Sequence, residues 1–358
     1  MSAPITFKFL KGRGVGSNGA SRFHAQQREG FNDGWDIEEK VDAEHKLATT
    51  VTVRKAKSVI SYNSSPDVGF TQSINPYQGC EHGCVYCYAR PSHAYLDLSP
   101  GFDFETKLFA KGNAAEVLRR ELSSKAYKPD VIALGANTDP YQPIEREHGI
   151  TRSILEVLAE FNAPVSITTK SALVTRDLDI LGPMASKGLA RVNVSLATLD
   201  PFTARIMDPR ACAPHRRLQT IQQLSAAGVP TSVFASPMIP AINDMEVEHI
   251  LESASKAGAC NASMIVLRLP REVKELFHEW LRYHFPMRAE HVISLIRQMR
   301  DGKDNESNYG TRMSGTGPYA ELLRKRFRLA KRKFGLDAPA VQLQTSNFGV
   351  PTVQPSLF

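Results

Sequence analysis

The sequence predicts an α/β protein whose parallel strands curl into an open barrel. Short apolar runs alternate with longer segments of helical periodicity, and this unit recurs along the middle of the chain roughly every 25–60 residues. Such alternation favours a parallel sheet, because each helical crossover returns the chain to the edge where the next strand begins. Crossovers of one hand close the sheet into an open (β/α)6 arrangement, a partial TIM barrel, whose ligands bind at the carboxyl ends of the strands.

The barrel strands are predicted from runs rich in β-branched and apolar residues. The six runs are 72–77, 130–134, 164–168, 190–196, 230–236 and 262–269. Helices are predicted between them over 114–127, 151–161, 177–188, 213–228 and 245–258. The β-branched stretch 49–62 predicts one or two further strands before the barrel.

Three regions follow from this pattern. Residues 1–56 are predicted to form an irregular N-terminal extension, and residues 57–270 the partial barrel. Residues 271–358 are predicted to be a helical C-terminal region that includes a basic helix and ends in an extended tail.

Composition indicates a soluble globular protein, since 42% of the 358 residues are hydrophobic and 23% are charged. No apolar run approaches the roughly 18–20 residues that span a bilayer. The amino terminus lacks the apolar core and cleavage site of a signal peptide. These features, together with the cysteine usage described below, predict a cytoplasmic protein.

The net charge of +7 is concentrated in one segment, residues 324–334, which holds seven Lys or Arg and no acid. Without this segment the basic and acidic residues of the chain balance. Leu323, Phe327, Ala330 and Phe334 are spaced as one apolar stripe of a helix, so the stripe is expected to dock while the cations point mainly to solvent. Such a face predicts contact with the phosphates of DNA or RNA. A solvated surface helix and a membrane-surface role are the alternatives.

The stretch NPYQGCEHGCVYCYAR holds three of the five cysteines, spaced Cys80-x3-Cys84-x2-Cys87. Three thiols this close cannot all pair in disulfides, which indicates a reducing compartment. Three cysteines can hold a four-iron cluster and leave one iron open to a ligand that is not protein. The stretch directly follows the first predicted barrel strand, at the end where such a fold binds ligands.

Zinc is the alternative metal for this stretch. A structural zinc site takes four ligands, so a fourth would have to come from His82 or His93. The two-residue offset from Cys80 to His82 is cramped for shared tetrahedral ligation. The two remaining cysteines, Cys212 and Cys260, are predicted to be small apolar fillers.

The cysteine spacing resembles that of the radical S-adenosylmethionine (SAM) enzymes, and the resemblance runs over about residues 57–270. Within that superfamily, SINPYQGCEHGCVYCYAR and TDPYQPIE (138–145) resemble the spore photoproduct lyase-like branch, whose members are loosely labelled DNA repair photolyases. The resemblance implies a 4Fe–4S cluster on Cys80, Cys84 and Cys87 whose open iron is chelated by SAM. It further implies reductive cleavage of SAM to a 5′-deoxyadenosyl radical, and an external reductant such as flavodoxin or ferredoxin.

The resemblance also implies cofactor contacts at the mouths of the strands. Thr138, in GANTDP, matches a hydroxyl that the lyase branch places there, and its neighbour Asn137 is a second candidate. Lys170 matches a lysine that contacts SAM, where its ammonium could pair with the methionine carboxylate. Ser195 and Arg268 are the candidates on strands four and six. The structural alternatives are a cap for Asn137 and Thr138, a solvated lysine, a backbone-bonded serine and an ion-paired arginine.

Tyr86 and Tyr88 flank Cys87 and match tyrosines near the radical pathway of the lyase branch. They are therefore the candidate catalytic residues for relaying hydrogen atoms, and the alternative is that they exclude water from the cluster. The lyases carry a cysteine just before the position of Thr138, which returns a hydrogen atom to the product. Asn137 stands in that place, so the terminal step of the lyase reaction lacks its known hydrogen-atom donor.

The resulting hypothesis is a radical SAM enzyme that starts hydrogen abstraction, with a DNA-repair, lyase-like activity on nucleic acid as its specific form. The second hypothesis is radical modification of RNA or protein. The third is a zinc-stabilised nucleic-acid-binding module without catalysis.

Overall fold

The computed structural model describes residues 9–23 and 47–351. Most of the predicted N-terminal extension, residues 1–8 and 24–46, and the end of the predicted tail, residues 352–358, lie outside the described residues.

The strands are β1 Thr50–Arg54, β2 Ile60–Tyr62, β3 Gln72–Ile74, β4 Tyr77–Gln78, β5 Lys107–Lys111, β6 Ile132–Leu134, β7 Val165–Thr169, β8 Ala190–Ser195, β9 Thr231–Met238 and β10 Asn261–Val266. The helices are α1 Phe102–Thr106, α2 Ala114–Leu122, α3 Glu145–His148, α4 Ile150–Glu160, α5 Leu178–Ser186, α6 Pro201–Met207, α7 Pro214–Ala226, α8 Val247–Lys256, α9 Val273–His284, α10 Ala289–Gln298 and α11 Gly317–Lys333. Three short 3₁₀ helices span Arg90–Leu96, Ala172–Asp177 and Asp244–Glu246.

The main sheet has seven strands in the order β10-β9-β8-β7-β6-β3-β2. Strands β3 and β6 to β10 are parallel and follow one another in chain order, and β2 pairs antiparallel with β3 at one edge. The predicted α/β class with six parallel barrel strands is confirmed. Because the six strands run in one direction, their carboxyl ends meet at one edge, which we call the mouth of the barrel.

A smaller sheet has the order β1-β5-β4. Strand β1 lies in the stretch 49–62 that predicted one or two strands, whereas β5 was not predicted. Strand β5 pairs parallel with β1 and antiparallel with β4, which directly precedes the cysteines. This sheet anchors the start of the cysteine-bearing loop.

The core lies between the outer faces of the parallel strands and the surrounding helices. Outward side chains such as Ile132, Ile167 and Val192 are fully buried there. Each buried aliphatic side chain of this kind contributes about 1.5–3 kcal/mol relative to an exposed one. The alternate, inward-facing positions include polar side chains such as Ser166 and Asn193 beside apolar ones such as Ala133 and Phe234, so the barrel interior differs in chemistry from the core.

Helices α9 and α10 pack on the mouth side of the barrel. A second apolar cluster joins Trp280 and Val292 of these helices to Val85 of the cysteine-bearing loop. The Trp280 indole donates a 2.9 Å hydrogen bond to the carbonyl of Ile206, which ties α9 to α6. The C-terminal helices therefore form part of the wall around the cysteines.

Helix α11 docks as its sequence predicted. Leu323 and Ala330 are buried, and Phe327 and Phe334 are half-buried along the same stripe. The Tyr319 hydroxyl adds a 2.5 Å hydrogen bond to the Asp244 carboxylate.

The sequence predicted that the seven cations of α11 point mainly to solvent. The structure instead divides them into a half-buried group and an exposed group. Arg324, Arg326 and Lys331 are half-buried and bind protein groups, among them the Glu248 carboxylate at 2.6 Å from Arg326. The cations left exposed are Lys325, Arg328, Arg332 and Lys333. The reason is that α11 lies against α8 and β10, whose acceptors reach the side chains at the edge of the apolar stripe.

The chain beyond α11 runs along the amino ends of the strands. The Val341 carbonyl accepts a 3.0 Å hydrogen bond from Arg191, and the Gln344 amide donates to Gly188 at 2.9 Å. This segment forms a floor under the barrel.

No helix among the described residues is long and apolar enough to cross a membrane.

Candidate metal centre

The cysteine loop, residues 79–89, follows β4 at the mouth of the barrel. Cys80 and Cys84 are buried, Cys87 is half-buried, and all three are free thiols. The loop folds by short turns, in which the Gly83 amide donates to Cys80 at 3.3 Å and the Cys87 amide to Cys84 at 3.2 Å. The Cys80 amide donates to the Phe104 carbonyl at 2.9 Å, which anchors the loop from below.

An N-terminal strap, residues 9–23, lies directly on this loop. A Cβ atom added to Gly14 would stand 1.7 Å from the Gly83 carbonyl oxygen, so the two backbones touch at a point where only glycine fits. Val15 is fully buried beside Cys84, and Ser17 donates a 2.7 Å hydrogen bond to Glu279 of α9. No periodic pattern in the sequence signals this packing.

A buried ion pair joins the strap, the loop and α1. The Arg90 guanidinium is 2.5 Å from the Glu105 carboxylate, and both side chains are 0% exposed. Arg90 also donates to the carbonyls of Gly83 and Cys84, at 3.0 and 2.9 Å. Glu105 in turn accepts the Gly14 amide at 3.1 Å. With these partners the two buried charges are satisfied, as a buried pair requires.

The two stretches that the sequence singled out, the cysteine loop with its preceding strand and residues 138–145, bind each other. The buried Gln142 amide donates to the Gly79 carbonyl at 3.1 Å and accepts from the Glu81 amide at 2.9 Å. The Tyr77 hydroxyl donates to the Glu145 carboxylate. Residues 138–145 therefore brace the loop.

Asp139 is the centre of this brace. Its carboxylate accepts from the Thr169 hydroxyl and the Lys170 amide, each at 2.7 Å, and lies 3.3 Å from His82 Nδ1. Burial opposes ionisation of Asp139, but His82 and the donors outweigh it and lower the pKa to about 2. Burial likewise opposes protonation of His82, yet Asp139 and Cys80 raise its pKa to about 10.

A second charged network lies behind Cys84. The buried Arg217 is 3.0 Å from the Asp208 carboxylate, which also accepts the Tyr86 hydroxyl. The half-buried Lys170 ammonium lies 5.8 Å from the centre of the Tyr86 ring. Burial lowers the pKa of Lys170, but Cys84, when it is ionised, and Asp208 outweigh it, so the pKa is raised and the ammonium stays charged.

The thiols themselves lie in an environment that disfavours bare thiolates. Burial raises the pKa of Cys84 well above its usual value and also raises that of Cys87, with Asp208 and Cys80 respectively acting in the same direction. Iron would supply the positive charge that such buried thiolates need. The donor set of three free cysteines on one braced loop therefore fits a 4Fe–4S cluster.

The zinc alternative would need a fourth ligand beside the three cysteines. Within the described ranges, no three His, Cys, Asp or Glu side chains converge on a position that could hold one metal ion. A structural zinc site needs four ligands around a single ion. In a four-iron cluster, by contrast, each cysteine binds a different iron.

The candidate cofactor residues gather at the mouth. Thr138 follows β6, Lys170 follows β7, Ser195 ends β8 and Arg268 follows β10. The Thr138 hydroxyl donates to the Tyr77 carbonyl at 3.0 Å, and the Ser195 hydroxyl to the Ser236 carbonyl at 3.3 Å. Both hydroxyls keep lone pairs that can accept a further hydrogen bond.

Within residues 9–23 and 47–351, Arg268 forms no ion pair, which was its structural alternative. Its Nη1 lies 3.7 Å from the Met313 sulfur, and its buried Nε has no hydrogen-bond partner in the part of the chain that the structure describes. Burial and the nearby Arg312 lower its pKa. Arg268 is thus a half-buried cation with spare donors at the mouth.

Asn137 and Tyr88 lie close together. The Asn137 backbone amide donates to Asn75 Oδ1 at 2.8 Å, so Asn75 holds the turn after β6. The exposed Tyr88 hydroxyl donates to the neighbouring Ala136 carbonyl. The two tyrosines therefore differ, because Tyr86 is buried against Asp208 whereas Tyr88 faces the mouth.

The comparisons with known proteins agree with this picture. A family model described as the Radical SAM superfamily matches residues 74–254. An uncharacterized protein of Mycobacterium tuberculosis is 36% identical over 231 residues, which cover 64% of this chain and 68% of that protein. An uncharacterized protein of Methanocaldococcus jannaschii is 28% identical over 193 residues, covering 54% of this chain and 69% of the relative.

Solved structures show the same fold. A spore photoproduct lyase mutant matches with a TM-score of 0.57 at 15% identity, covering 88% of this chain and 86% of that one. Spore photoproduct lyase complexed with dinucleoside spore photoproduct matches with a TM-score of 0.55 at 15% identity, covering 79% of each chain.

The parallel α/β barrel and its three-cysteine loop define the class of the protein as that of enzymes built for radical chemistry at an iron–sulfur cluster. The chain belongs to the Radical SAM superfamily. Its cofactors are accordingly a 4Fe–4S cluster and SAM, and the cluster, when reduced, supplies the electron that cleaves SAM.

Proposed function

We propose that this protein binds a 4Fe–4S cluster through Cys80, Cys84 and Cys87 and cleaves SAM to begin hydrogen abstraction from a nucleic-acid substrate. The observation that carries this is the braced cysteine loop at the barrel mouth, with Lys170 beside it. The direct test is anaerobic reconstitution with iron and sulfide, followed by reduction in the presence of SAM. We expect 5′-deoxyadenosine to form only with reductant, and a fully loaded cluster without this product would contradict the proposal.

The mouth residues divide into roles for binding SAM. Lys170 would donate to the methionine carboxylate, because its ammonium is charged and its described neighbours leave donors free. Thr138 and Ser195 would accept from SAM hydroxyl or amino groups, and Asn137 offers an amide beside them. Arg268 would bring its spare donors to a carboxylate or ribose. All of these roles are proposals for the binding of one cofactor.

For hydrogen transfer, Tyr88 is the better candidate of the two tyrosines. It faces the mouth, and its hydroxyl is bound only to the Ala136 carbonyl among the described residues. Tyr86 is buried and donates to Asp208, so its proposed part is to hold the network beneath Cys84. An external reductant such as flavodoxin or ferredoxin would supply the electron.

Lys170→Ala should weaken SAM binding by about 1–3 kcal/mol, the scale of a charge-assisted hydrogen bond. The iron content should stay unchanged, because the ammonium lies over Tyr86 and does not hold the loop. Equilibrium dialysis of SAM against anaerobic, cluster-loaded protein measures the effect. The matched control is Lys187→Ala, an exposed lysine after α5. Equal SAM affinity in the Lys170→Ala and Lys187→Ala variants would show that Lys170 does not bind SAM.

Nucleic acid is proposed as the substrate because of the exposed cations of α11. Four exposed positive charges, on Lys325, Arg328, Arg332 and Lys333, form no ion pair among the described residues. Concentrated charge of this kind is typical of phosphate-backbone contact. A solved lyase of the same fold is complexed with a dinucleoside photoproduct, which is a further reason to test nucleic acid first.

Changing those four residues together to Gln should flatten the salt dependence of DNA or RNA binding. Each lost phosphate contact removes about 0.9 from the log–log slope on duplex DNA and about 0.7 on single strands, because fewer counterions are released. Fluorescence anisotropy across a salt series measures the slope. A charge-matched control replaces four exposed cations elsewhere: Arg120, Lys125, Lys187 and Arg216. An equal change of the slope in both variants, or no nucleic-acid binding at low salt, would show that α11 does not contact the nucleic acid.

Radical modification of RNA or protein is the second candidate, and Asn137 favours it. An amide cannot return a hydrogen atom as the cysteine of the lyases does. Asn137 therefore fits a reaction in which no hydrogen atom is returned to the product, or in which another group returns it, better than it fits the lyase reaction.

A further inference from the structure

We infer that the interior of the barrel is a binding site for an organic anion, whose phosphate or carboxylate group binds Arg191 at the floor. This inference rests on the proposed function. It names the chemical class of the substrate, which would occupy the barrel interior and extend to the mouth.

The interior is a cavity of about 490 Å3, within the range of small-molecule sites. Its walls are the inward positions of β6 to β10 together with residues 67–70 and Met313, and hydroxyl and amide groups predominate at the inward positions of β7 to β10. Asn193 illustrates their state, since its amide donates to Ser166 Oγ at 3.2 Å and to the Ile167 carbonyl at 3.1 Å. Strands that are covered on both faces are usually apolar throughout, so polar inward positions indicate that the interior holds a polar ligand.

Arg191 is the charged group at the lower end of the cavity. Its guanidinium is half-buried and donates to two neutral acceptors, Ser166 Oγ and the Val341 carbonyl, each at 3.0 Å. Burial lowers its pKa, and among the described residues Arg191 forms no ion pair with a carboxylate. Arg90 and Arg217, in contrast, each have a buried carboxylate. A half-buried guanidinium without an ion-pair partner is a suitable receptor for a phosphate or carboxylate.

Asp67 also lines the cavity, but its carboxylate does not pair with Arg191 and so would not compete with a bound anion. It lies at the other end, where it binds the Arg312 guanidinium and accepts the Gly310 amide at 2.7 Å. The cavity is therefore positive at its floor and neutral along its walls.

The length of the cavity limits the ligand. Arg191 and Ser195 are four residues apart on β8, which corresponds to about 13 Å at ~3.3 Å per residue. An anion held by Arg191 would extend that far to reach the mouth, where Ala136 lines the cavity and binds the Tyr88 hydroxyl. This span fits a phosphorylated or carboxylated molecule of about nucleotide size, either free or as the phosphorylated end of a strand.

The test is calorimetric titration of the full chain with inorganic phosphate and with sodium acetate. We expect saturable binding at one site by at least one probe, weakened at least about tenfold in Arg191→Gln and less in Arg191→Lys. The control Arg216→Gln removes an exposed arginine and should change nothing. An oligonucleotide with and without a 5′-phosphate then separates the sources: a phosphate-dependent gain assigns the strand end, and binding of the small probes alone assigns a free metabolite.

Arg191→Gln also removes the hydrogen bond to Val341 and could disturb the segment that closes the cavity. A second variant therefore tests the site without that change. Ser263→Leu narrows the cavity from β10 and leaves Arg191 in place, and it should weaken the same binding. Absence of saturable binding, or binding that neither variant changes, would overturn the inference. Cleavage of SAM by the same preparation would show that the proposed function stands even when the anion site does not.

Discussion

Replacing Cys80, Cys84 or Cys87 singly by Ala is expected to abolish both the visible absorbance of the iron–sulfur cluster and the reductive cleavage of SAM. Each thiolate is proposed to hold one of three irons, and no spare cysteine lies on the loop to replace it. Anaerobic reconstitution, iron analysis and measurement of 5′-deoxyadenosine report the two losses separately.

The controls for this result are the other two cysteines. Cys212 accepts a hydrogen bond from the Ala172 amide at 3.1 Å, and Cys260 is exposed with its thiol 3.3 Å from the Thr231 carbonyl. Alanine at either position should leave both signals intact. A triple variant of the loop cysteines that still bound stoichiometric iron would contradict the cluster assignment altogether.

Glu105→Met is expected to lower the free energy of unfolding by about 3–5 kcal/mol, because it leaves the fully buried Arg90 without its counter-charge. The same change removes the acceptor of the Gly14 amide, so the strap should also detach from the cysteine loop. Urea unfolding of the cluster-free protein measures the stability. The rate at which oxygen bleaches the reconstituted cluster measures the loss of cover over the loop.

The matched control is Glu160→Met, which breaks the exposed ion pair between Arg119 and Glu160. Exposed pairs contribute about 0–1 kcal/mol, so this variant should unfold nearly as the parent does. Similar losses in the two variants would mean that the Arg90–Glu105 pair has no special part in holding the loop.

Residues 138–145 show how far a resemblance in sequence reaches. The stretch was recognisable, but what it does became visible only in three dimensions, where Gln142 and Asp139 hold the backbone and His82 of the cysteine loop. Asp208 and Arg217 carried no signal at all, since nothing in their local sequence links them to Tyr86, which lies more than a hundred residues earlier.

The sequence by itself determined the features that are local in the chain. Hydrophobic periodicity predicted the six parallel strands, the crossover helices and the docked stripe of α11, because side-chain period follows directly from strand and helix geometry. The spacing of Cys80, Cys84 and Cys87 indicated an iron–sulfur site for a similar reason, since the ligands lie within one short loop.

Only the tertiary structure decided the features that depend on distant partners. Contact between Gly14 and Gly83 covers the cysteine loop with a strap, and Glu248 and other groups take up three cations of α11. The inward polar face became a cavity only when the strands curved and the segment around Val341 closed their amino ends. Such contacts join residues far apart in sequence, so local propensity cannot predict them. They form because a buried charge or polar group needs a partner, and only the packing of the fold determines which residue supplies it.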